Sequence, residues 1–364
     1  MAGKAAGSPA YWRYAGDRER SQAPAGPGQR KETSDTRHQV GCGHGRIGRP
    51  LDGLGRAAFG GKMTSMGPYT AAAVQVAPRP GPLTAEAVKA NLDNAVAWVE
   101  RCVESTQAEL VVLPETCTTG FTPGLPASAL WELVTAIPGP VTEPVQEVAQ
   151  RLGIHVCLGT YERGETPGVV YNTAVLVSPS GAIAGTYRKT HLYTGEAAAT
   201  GGWVTPGDSV TVVDTPLGRI GTVICFDGDY PELARIQAVQ GAAVLLRPSA
   251  LLRSADIWEL TTRARAYDNH VYVIAANAVG TDPAGTLYFG NSLIVTPTAE
   301  VVARGTTHEG WISARIDPSS AMSAMSPGSS QPQRFDHLAD RNLALYERYL
   351  DDITRPARHA FGPE

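Results

Sequence analysis

Three reactive side chains stand at or just past the ends of separate apolar runs in the sequence. Glu115 ends the run LVVLPE, Lys189 follows AIAGTYR, and Cys225 ends RIGTVIC. A thiol becomes a nucleophile when a base takes its proton, and a carboxylate shielded from water can be that base. A buried ammonium can stabilise an oxyanion. These three residue types can therefore carry out covalent acyl transfer, provided that the fold brings the strand ends together.

Each of these residues also has a simpler interpretation. A free cysteine packs as a small hydrophobe, so Cys225 taken alone is more typical of core filling, and Glu115 and Lys189 could be solvated surface residues. The segment DGDYPELAR (227–235) predicts a turn, with conformational freedom from Gly228, and then a helix with Pro231 in its first turn. The thiol is thus expected on a strand-to-helix bend, near backbone amides that lower its pKa and can hold an oxyanion.

The elements that must position these residues alternate between short apolar runs and segments of helical period. Strands are predicted at 71–77, 109–114, 154–159, 169–178, 183–188, 219–225, 243–247, 271–276, 291–296, 299–303 and 310–316. Helices are predicted at 84–106, 142–152, 231–240, 256–268 and 336–351. Runs such as ELVVLP are continuously apolar, as in strands buried on both faces. The pattern predicts a mixed α/β protein with buried central strands.

The composition is that of an ordinary globular protein. The 364 residues are 43% hydrophobic and 18% charged, with a formal net charge of −4. No apolar run reaches the roughly 20 residues that a membrane helix needs. The five cysteines form no CxxC pair, so neither a disulfide framework nor a zinc site is predicted. We expect a cytoplasmic protein with free thiols, without a metal and without a membrane partner.

The first 62 residues differ from the rest of the chain. They carry eleven Lys and Arg against five Asp and Glu, a net charge of +6 that leaves −10 for the remainder. They are rich in glycine and poor in aliphatic residues, which predicts disorder. Their acidic residues argue against a transit peptide, and their scattered basic residues argue against nucleic-acid binding.

We interpret residues 1–66 as an N-terminal extension that could arise from an over-long start, with Met63 or Met66 as the working start. Deleting residues 1–62 should then leave solubility and activity nearly unchanged. The folded domain is predicted at 67–352 and a C-terminal tail at 353–364.

The order of the three motifs resembles that of the nitrilase superfamily, or carbon–nitrogen hydrolases, from about residue 70 to about residue 350. LPE (113–115), YRKTHL (187–192) and ICFDGDYPELAR (224–235) resemble its glutamate, lysine and cysteine motifs. RARAYDNHVYVIAANAVG (263–280) and FGNSLIVTPTAEVV (289–302) resemble its later segments. The resemblance implies a four-layer αββα sandwich that pairs into an αββα–αββα homodimer or a larger homo-oligomer.

The resemblance also implies a mechanism without metal or organic cofactor. Glu115 would be the acid and base, and Cys225 the nucleophile that forms a thioester with a small amide substrate. Lys189 and the backbone N–H of Phe226 would hold the oxyanion. Glu196, five residues beyond His191, matches a second glutamate that many members carry in the site.

The residues around the motifs bear on the substrate. Nitrilases usually have Trp-Glu after the nucleophile, whereas Phe226 and Asp227 stand here, which favours an amide or N-carbamoyl compound over a nitrile. Arg247 could line the pocket or form a structural ion pair, and Trp203 is a candidate wall of the pocket mouth. The alternatives are a nitrilase and a non-catalytic binding protein on the same fold. The intact Glu115, Lys189 and Cys225 weigh against the latter.

Overall fold

The computed structural model describes residues 67–320 and 336–355. The strands are β1 (Tyr69–Gln75), β2 (Leu110–Val112), β3 (His155–Arg163), β4 (Val170–Val177), β5 (Ile183–Arg188), β6 (Val212–Thr215), β7 (Gly218–Thr222), β8 (Val244–Ser249), β9 (Tyr272–Asn277), β10 (Val279–Thr281), β11 (Leu287–Phe289), β12 (Leu293–Val295), β13 (Val301–Arg304) and β14 (Gly310–Ile316). The helices are α1 (Ala85–Thr106), α2 (Ala127–Leu133), α3 (Glu143–Leu152), α4 (Pro231–Val239), α5 (Ala255–Asn269), α6 (Leu343–Arg348) and α7 (Leu350–Thr354). The predictions for residues 1–66 lie outside the described residues.

Two six-stranded sheets form the centre of the domain. Their strand orders are β14-β1-β2-β3-β4-β5 and β13-β12-β9-β8-β7-β6. In the first sheet β1, β2 and β3 run parallel, and in the second β7, β8 and β9 do. Within each sheet, the carboxyl ends of these parallel strands therefore meet at one edge, where the loops that carry function are usually found.

The layers follow from the alternation of side chains along the strands. In β1, Ala71 and Ala73 belong to the core that includes the second sheet, whereas Ala72 and Val74 pack with residues of α1 and α3. Helices α4 and α5 contact β7 and β9 of the second sheet. The order of layers is thus helix, sheet, sheet, helix, which confirms the αββα sandwich.

Two predicted elements differ from the structure in a way that local hydrogen bonds explain. The strand predicted at 219–225 stops at Thr222, because the Ile224 N–H bonds to the Asp227 carboxylate at 2.9 Å rather than to a neighbouring strand. The single helix predicted at 336–351 is wrong. The Asp336 side chain accepts bonds from the backbone N–H groups of Leu338 and Ala339, which makes a turn, and Asn342 then caps α6.

The last helix, α7, continues to Thr354, two residues beyond the predicted end of the domain at 352. Helix α2 and the short strands β6, β10 and β11 have no counterpart among the predicted elements. Within the described ranges, no helix is both long and apolar enough to cross a bilayer.

Candidate active site

A buried cluster of one ammonium and two carboxylates lies at the ends of β2 and β5. The Lys189 Nζ is 2.8 Å from Glu115 Oε1 and 2.7 Å from Glu196 Oε2. All three side chains are almost fully buried. Asn172 on β4 donates from Nδ2 to Glu115 Oε1 at 2.7 Å and to Glu196 Oε1 at 2.9 Å. The structure therefore brings together three of the residues that the sequence indicated. It adds Asn172, which the sequence did not indicate.

The charges in this cluster determine the protonation of its members. Burial alone would lower the pKa of Lys189, but the charges of Glu115 and Glu196 outweigh it and raise that pKa. Lys189 thus keeps its proton, which suits a donor to an oxyanion and not a base. Burial raises the pKa of Glu196, the Lys189 charge lowers it and the Glu115 charge raises it again, with a net increase. That direction is expected of a carboxyl group that shares one cation with a neighbour.

Glu115 connects the two sheets. Its Oε2 accepts a 2.7 Å hydrogen bond from the backbone N–H of Ala250, just past β8 of the second sheet. Its backbone lies against Gly159 of β3, where an added Cβ would come within 2.8 Å of the Glu115 Cα. A glycine at 159 is therefore required for this approach, and it places the carboxylate at the junction of the sheets.

Cys225 lies on a strained bend. Its φ is +47°, in the left-handed region that non-glycine residues rarely occupy, and it begins a 3₁₀ turn, Cys225–Asp229, that precedes α4. Arg247 holds the bend, donating from Nη2 at 2.9 Å and from Nε at 3.2 Å to the Cys225 carbonyl oxygen. A thiol on such a bend is presented to the cleft instead of being packed along a strand.

Gly228 has a different role from the one predicted. It is not among the glycines with positive φ, so the turn does not need its conformational freedom. Instead, a Cβ at this position would lie 2.2 Å from the Arg247 Cζ. Glycine is required here because the guanidinium packs directly against the backbone of the turn.

Asp227 joins the cysteine turn to the lysine loop. Its side chain is fully buried and accepts hydrogen bonds from the Ile224 N–H at 2.9 Å, the Tyr187 hydroxyl at 2.8 Å and the His191 N–H at 2.9 Å. The His191 ring stacks on Tyr230 at 4.0 Å. The segments that carry Lys189 and Cys225 are thus fixed relative to each other.

The Cys225 thiol is protonated in the resting site. Burial and the Glu115 charge raise its pKa, and the opposing effects of Lys189, Arg247 and the Ala250 amide do not cancel them. The Ala250 amide donates to Glu115 and also lowers the pKa of Cys225, and Ala250 and Cys225 line the same cleft. A buried thiol with a raised pKa needs a base close by, and Glu115, whose charge acts on this thiol, is the candidate.

A small, mainly apolar cleft with a cavity volume of about 20 Å³ opens at the thiol. It is lined by Phe121, Tyr193, Cys225, Phe226, Ala250, Leu251, Leu252 and Arg253. Phe121 is fixed by the Tyr161 hydroxyl, which donates to the Phe121 carbonyl oxygen at 2.6 Å. The following residue, Thr122, donates its N–H to Asp282 at 2.9 Å. Apolar and aromatic side chains with a few polar groups are the lining expected of a small-molecule site.

The remaining predicted residues lie in different places. Phe226 lines the cleft, but Arg247 does not: it is fully buried behind Cys225, and its Nη1 donates to Thr261 and Thr262. Its nearest carboxylate is 3.8 Å away, so it holds the bend mainly by hydrogen bonds and not as an ion pair. Trp203 lies behind Phe121, edge to face at 6.0 Å, and donates to the Tyr161 hydroxyl at 2.8 Å. It supports the wall without being part of it.

Sequence reasoning missed Asn172, Ala250 and Arg253. Asn172 lies within the apolar strand VYNTAVLV, where a buried amide is itself a signal of a polar partner. Ala250 acts through its backbone, so its side chain gives no signal. Within the described ranges, no cluster of three or more His, Cys, Asp and Glu side chains is arranged to hold a metal ion.

The chain is similar to known proteins in sequence and in fold. A family model described as carbon-nitrogen hydrolase matches residues 70–324. A probable nitrilase of Schizosaccharomyces pombe is 31% identical over 270 residues, covering 72% of this chain and 93% of its own length. An omega-amidase of Homo sapiens is 36% identical, covering 62% and 83% respectively. The crystal structure of an amidase from Nesterenkonia sp., 22% identical, superposes with a TM-score of 0.64 over 79% of this chain and 99% of its own, which supports the fold.

Proposed function

The chain belongs to the carbon–nitrogen hydrolase family of the nitrilase superfamily, enzymes that cleave C–N bonds other than peptide bonds, and we propose that it hydrolyses a small amide through a thioester on Cys225. The observation that carries the proposal is the buried Glu115–Lys189–Glu196 cluster, linked to Cys225 through the Ala250 amide. Catalysis needs a base, a cation and a nucleophile in one water-poor site, and this cluster supplies them.

In the first half of the reaction, Glu115 takes the thiol proton as the sulfur of Cys225 bonds to the amide carbonyl carbon. The Oε2 atom of Glu115 accepts one hydrogen bond, from Ala250, and a carboxylate oxygen can accept a second. The carbonyl electron pair moves to oxygen. Glu115 then returns the proton to the nitrogen, the C–N bond breaks, and ammonia or an amine leaves a thioester behind.

The oxyanion is held by Lys189 and the backbone N–H of Phe226. Lys189 keeps its proton because Glu115 and Glu196 raise its pKa, so it can donate without becoming a base. Phe226 is the second residue of the turn that begins at Cys225, and the N–H groups at the start of such a turn are not needed within it.

In the second half, Glu115 takes a proton from water as the water oxygen bonds to the thioester carbon. The C–S bond breaks, the acid leaves, and Cys225 regains the proton. Glu196 acts by position: it shares Lys189 with Glu115 and accepts from Asn172, which fixes the ammonium between the two carboxylates.

The experiment is an ammonia-release assay on the purified chain with butyramide, with hydroxylamine added to trap the acyl group as a hydroxamate. Cys225→Ala should abolish turnover and the thioester mass adduct. The matched control is Cys102→Ala, another buried thiol, which lies on α1 and whose pKa burial raises to about 11. A Cys225→Ala protein that keeps wild-type activity would reject the mechanism.

A nitrile is the alternative substrate, and a non-catalytic binding role is the alternative outside enzymes. Parallel assays with butyronitrile, an aromatic amide and an N-carbamoyl amino acid show whether the enzyme prefers nitriles or amides. If the nitrile is turned over faster than every amide, the preference for amides is wrong. Saturable binding of an amide without turnover would favour the non-catalytic binding role.

A further inference from the structure

The cleft beside Cys225 contains one charged side chain among its described lining residues, and that charge is already paired. The Arg253 Nη2 lies 2.6 Å from Asp229 Oδ2. The Arg253 guanidinium carbon is 5.4 Å from the centre of the Phe226 ring, so the cation lies beside the residue that follows the nucleophile. The rest of the lining is apolar apart from Tyr193 and the thiol.

Asp229 is held in place from two sides. It belongs to the turn that begins at Cys225, so the backbone that fixes the nucleophile also fixes this carboxylate. Besides Arg253, it has the buried Arg247 at 3.8 Å. The pair is only partly exposed, with side-chain exposures of 20% for Asp229 and 32% for Arg253, so solvent screens it incompletely.

The Asp229–Arg253 ion pair affects the binding of a substrate according to the charge of its acyl chain. A substrate whose acyl chain ends in a carboxylate would need a cation in the cleft, and Arg253 could serve only by leaving Asp229. The Asp229 carboxylate would then stand close to the substrate carboxylate. Only Arg247, 3.8 Å away and already bonded to the Cys225 carbonyl oxygen, would remain to balance it, so the approach of a like charge is unfavourable. An uncharged acyl chain needs no such exchange and packs against Phe121 and Leu251.

We propose that the Asp229–Arg253 ion pair is a specificity determinant that selects amides with uncharged aliphatic acyl groups and rejects those whose acyl chain ends in a carboxylate. The inference rests on the proposed amide hydrolysis and names the substrate class of the same site. It also disfavours N-carbamoyl amino acids, since the other candidate anchor for their carboxylate, Arg247, does not line the cleft.

The test compares butyramide with succinamate, which has the same four-carbon chain but a carboxylate at its far end. The wild type should show a kcat/KM at least roughly tenfold higher for butyramide. Asp229→Asn leaves Arg253 charged and unpaired, so it should reduce that preference roughly tenfold, mainly through a lower KM for succinamate, and the change should shrink with added salt. Arg253→Gln should act in the opposite direction and increase the preference for butyramide.

Two controls complete the design. The double variant Asp229→Asn/Arg253→Gln should lose the lower KM for succinamate that Asp229→Asn alone is expected to show. Asp214→Asn removes an exposed aspartate that is paired with Arg219 away from the cleft, and it should leave the preference unchanged. Circular dichroism of each variant shows whether it is folded.

The inference is overturned if the wild type hydrolyses both amides equally well, or if folded Asp229→Asn and Arg253→Gln proteins keep the wild-type preference. A wild type that hydrolyses neither of the two substrates nor any other amide would instead reject the proposed function, and the inference with it.

Discussion

Arg247 and Cys225 are joined by two hydrogen bonds, from the guanidinium Nη2 at 2.9 Å and Nε at 3.2 Å to the Cys225 carbonyl oxygen. Because Cys225 occupies the left-handed region, its conformation persists only if the surroundings hold it there. A buried arginine that forms a fork around one carbonyl oxygen meets that requirement. We therefore propose that Arg247 is a positioning residue for Cys225, the proposed nucleophile.

We predict that Arg247→Lys lowers kcat about 100-fold, since a lysine cannot make both bonds and a displaced thiol reacts slowly. Because the Arg247 charge lowers the pKa of Cys225, an uncharged Arg247→Met should also move the pH profile of thiol alkylation upward. Iodoacetamide labelling against pH measures this shift. Arg219→Lys, on the surface, is the control. An Arg247→Met profile identical to that of the wild type would contradict the assignment.

Gly228→Ala should destabilise the protein by about 3 kcal/mol, because the new Cβ would lie 2.2 Å from the Arg247 Cζ and neither the buried guanidinium nor the turn can move away. Urea denaturation measures the free energy of unfolding. Gly67→Ala is the control, since a Cβ there meets nothing within 4 Å and its φ is not positive. If the two variants are equally stable, the packing explanation is wrong.

Substitution of Glu115 and substitution of Glu196 should lower kcat to different extents and should differ in their effect on thioester formation. Glu115→Gln removes the proton acceptor and should lower kcat about 1,000-fold or more, with no thioester formed. Glu196→Gln keeps the hydrogen-bonding shape but removes a charge from Lys189, and should lower kcat only about 10- to 100-fold while the thioester still forms. Single-turnover mass spectrometry measures thioester formation directly. A larger loss for Glu196→Gln would reverse the proposed roles.

The sequence indicates the residues that we propose for the chemistry better than the residues that position them. Glu115, Lys189 and Cys225 could be found because each follows an apolar run and their types together make a reaction. Arg247 was recognised as a candidate, but not the direction in which its side chain points. The guanidinium packs against the backbone of Gly228, which has no side chain, and no pattern in the sequence indicates that contact. Ala250 could not be found at all, since only its backbone N–H takes part.

The secondary structure was also predicted well in some segments and poorly in others. Strands and helices with a clear hydrophobic period were predicted to within a few residues, whereas the helix predicted at 336–351 was wrong. Its apolar positions fit a helix, but Asp336 and Asn342 compete for local backbone N–H groups and break the segment. Capping of this kind depends on side-chain geometry, which the spacing of apolar residues does not report.

The attachment of the C-terminal segment should depend on pH. The His270 Nε2 accepts a 2.7 Å hydrogen bond from the His337 N–H, which requires a neutral ring nitrogen. Burial and then the His337 charge lower the pKa of His270, although Asp336 opposes them. The folded state therefore binds fewer protons than the unfolded state just below the ordinary histidine pKa, and stability falls as the pH falls through about 6.5.

We predict faster amide hydrogen exchange in residues 336–355 at pH 5.5 than at pH 7.5, after correction for the intrinsic rate, with α1 unchanged. His308→Gln, at an exposed position, is the control and should keep this pH dependence. His270→Gln should remove it. Protection of residues 336–355 that does not change between the two pH values would contradict the prediction.

We propose that α6 and α7 cover part of a second copy of the chain, as the family resemblance implies. Their apolar side chains Leu343, Leu345, Tyr346, Tyr349, Leu350 and Ile353 are all exposed. An apolar surface of this extent on a single chain is typical of an interface. Light scattering of the full chain at micromolar concentration should give at least the mass of a dimer. Leu343→Asp with Leu350→Asp should shift it towards the monomer, because two charges would be buried unpaired, whereas Asp351→Asn with Asp352→Asn should not. A monomeric wild type would contradict the proposal.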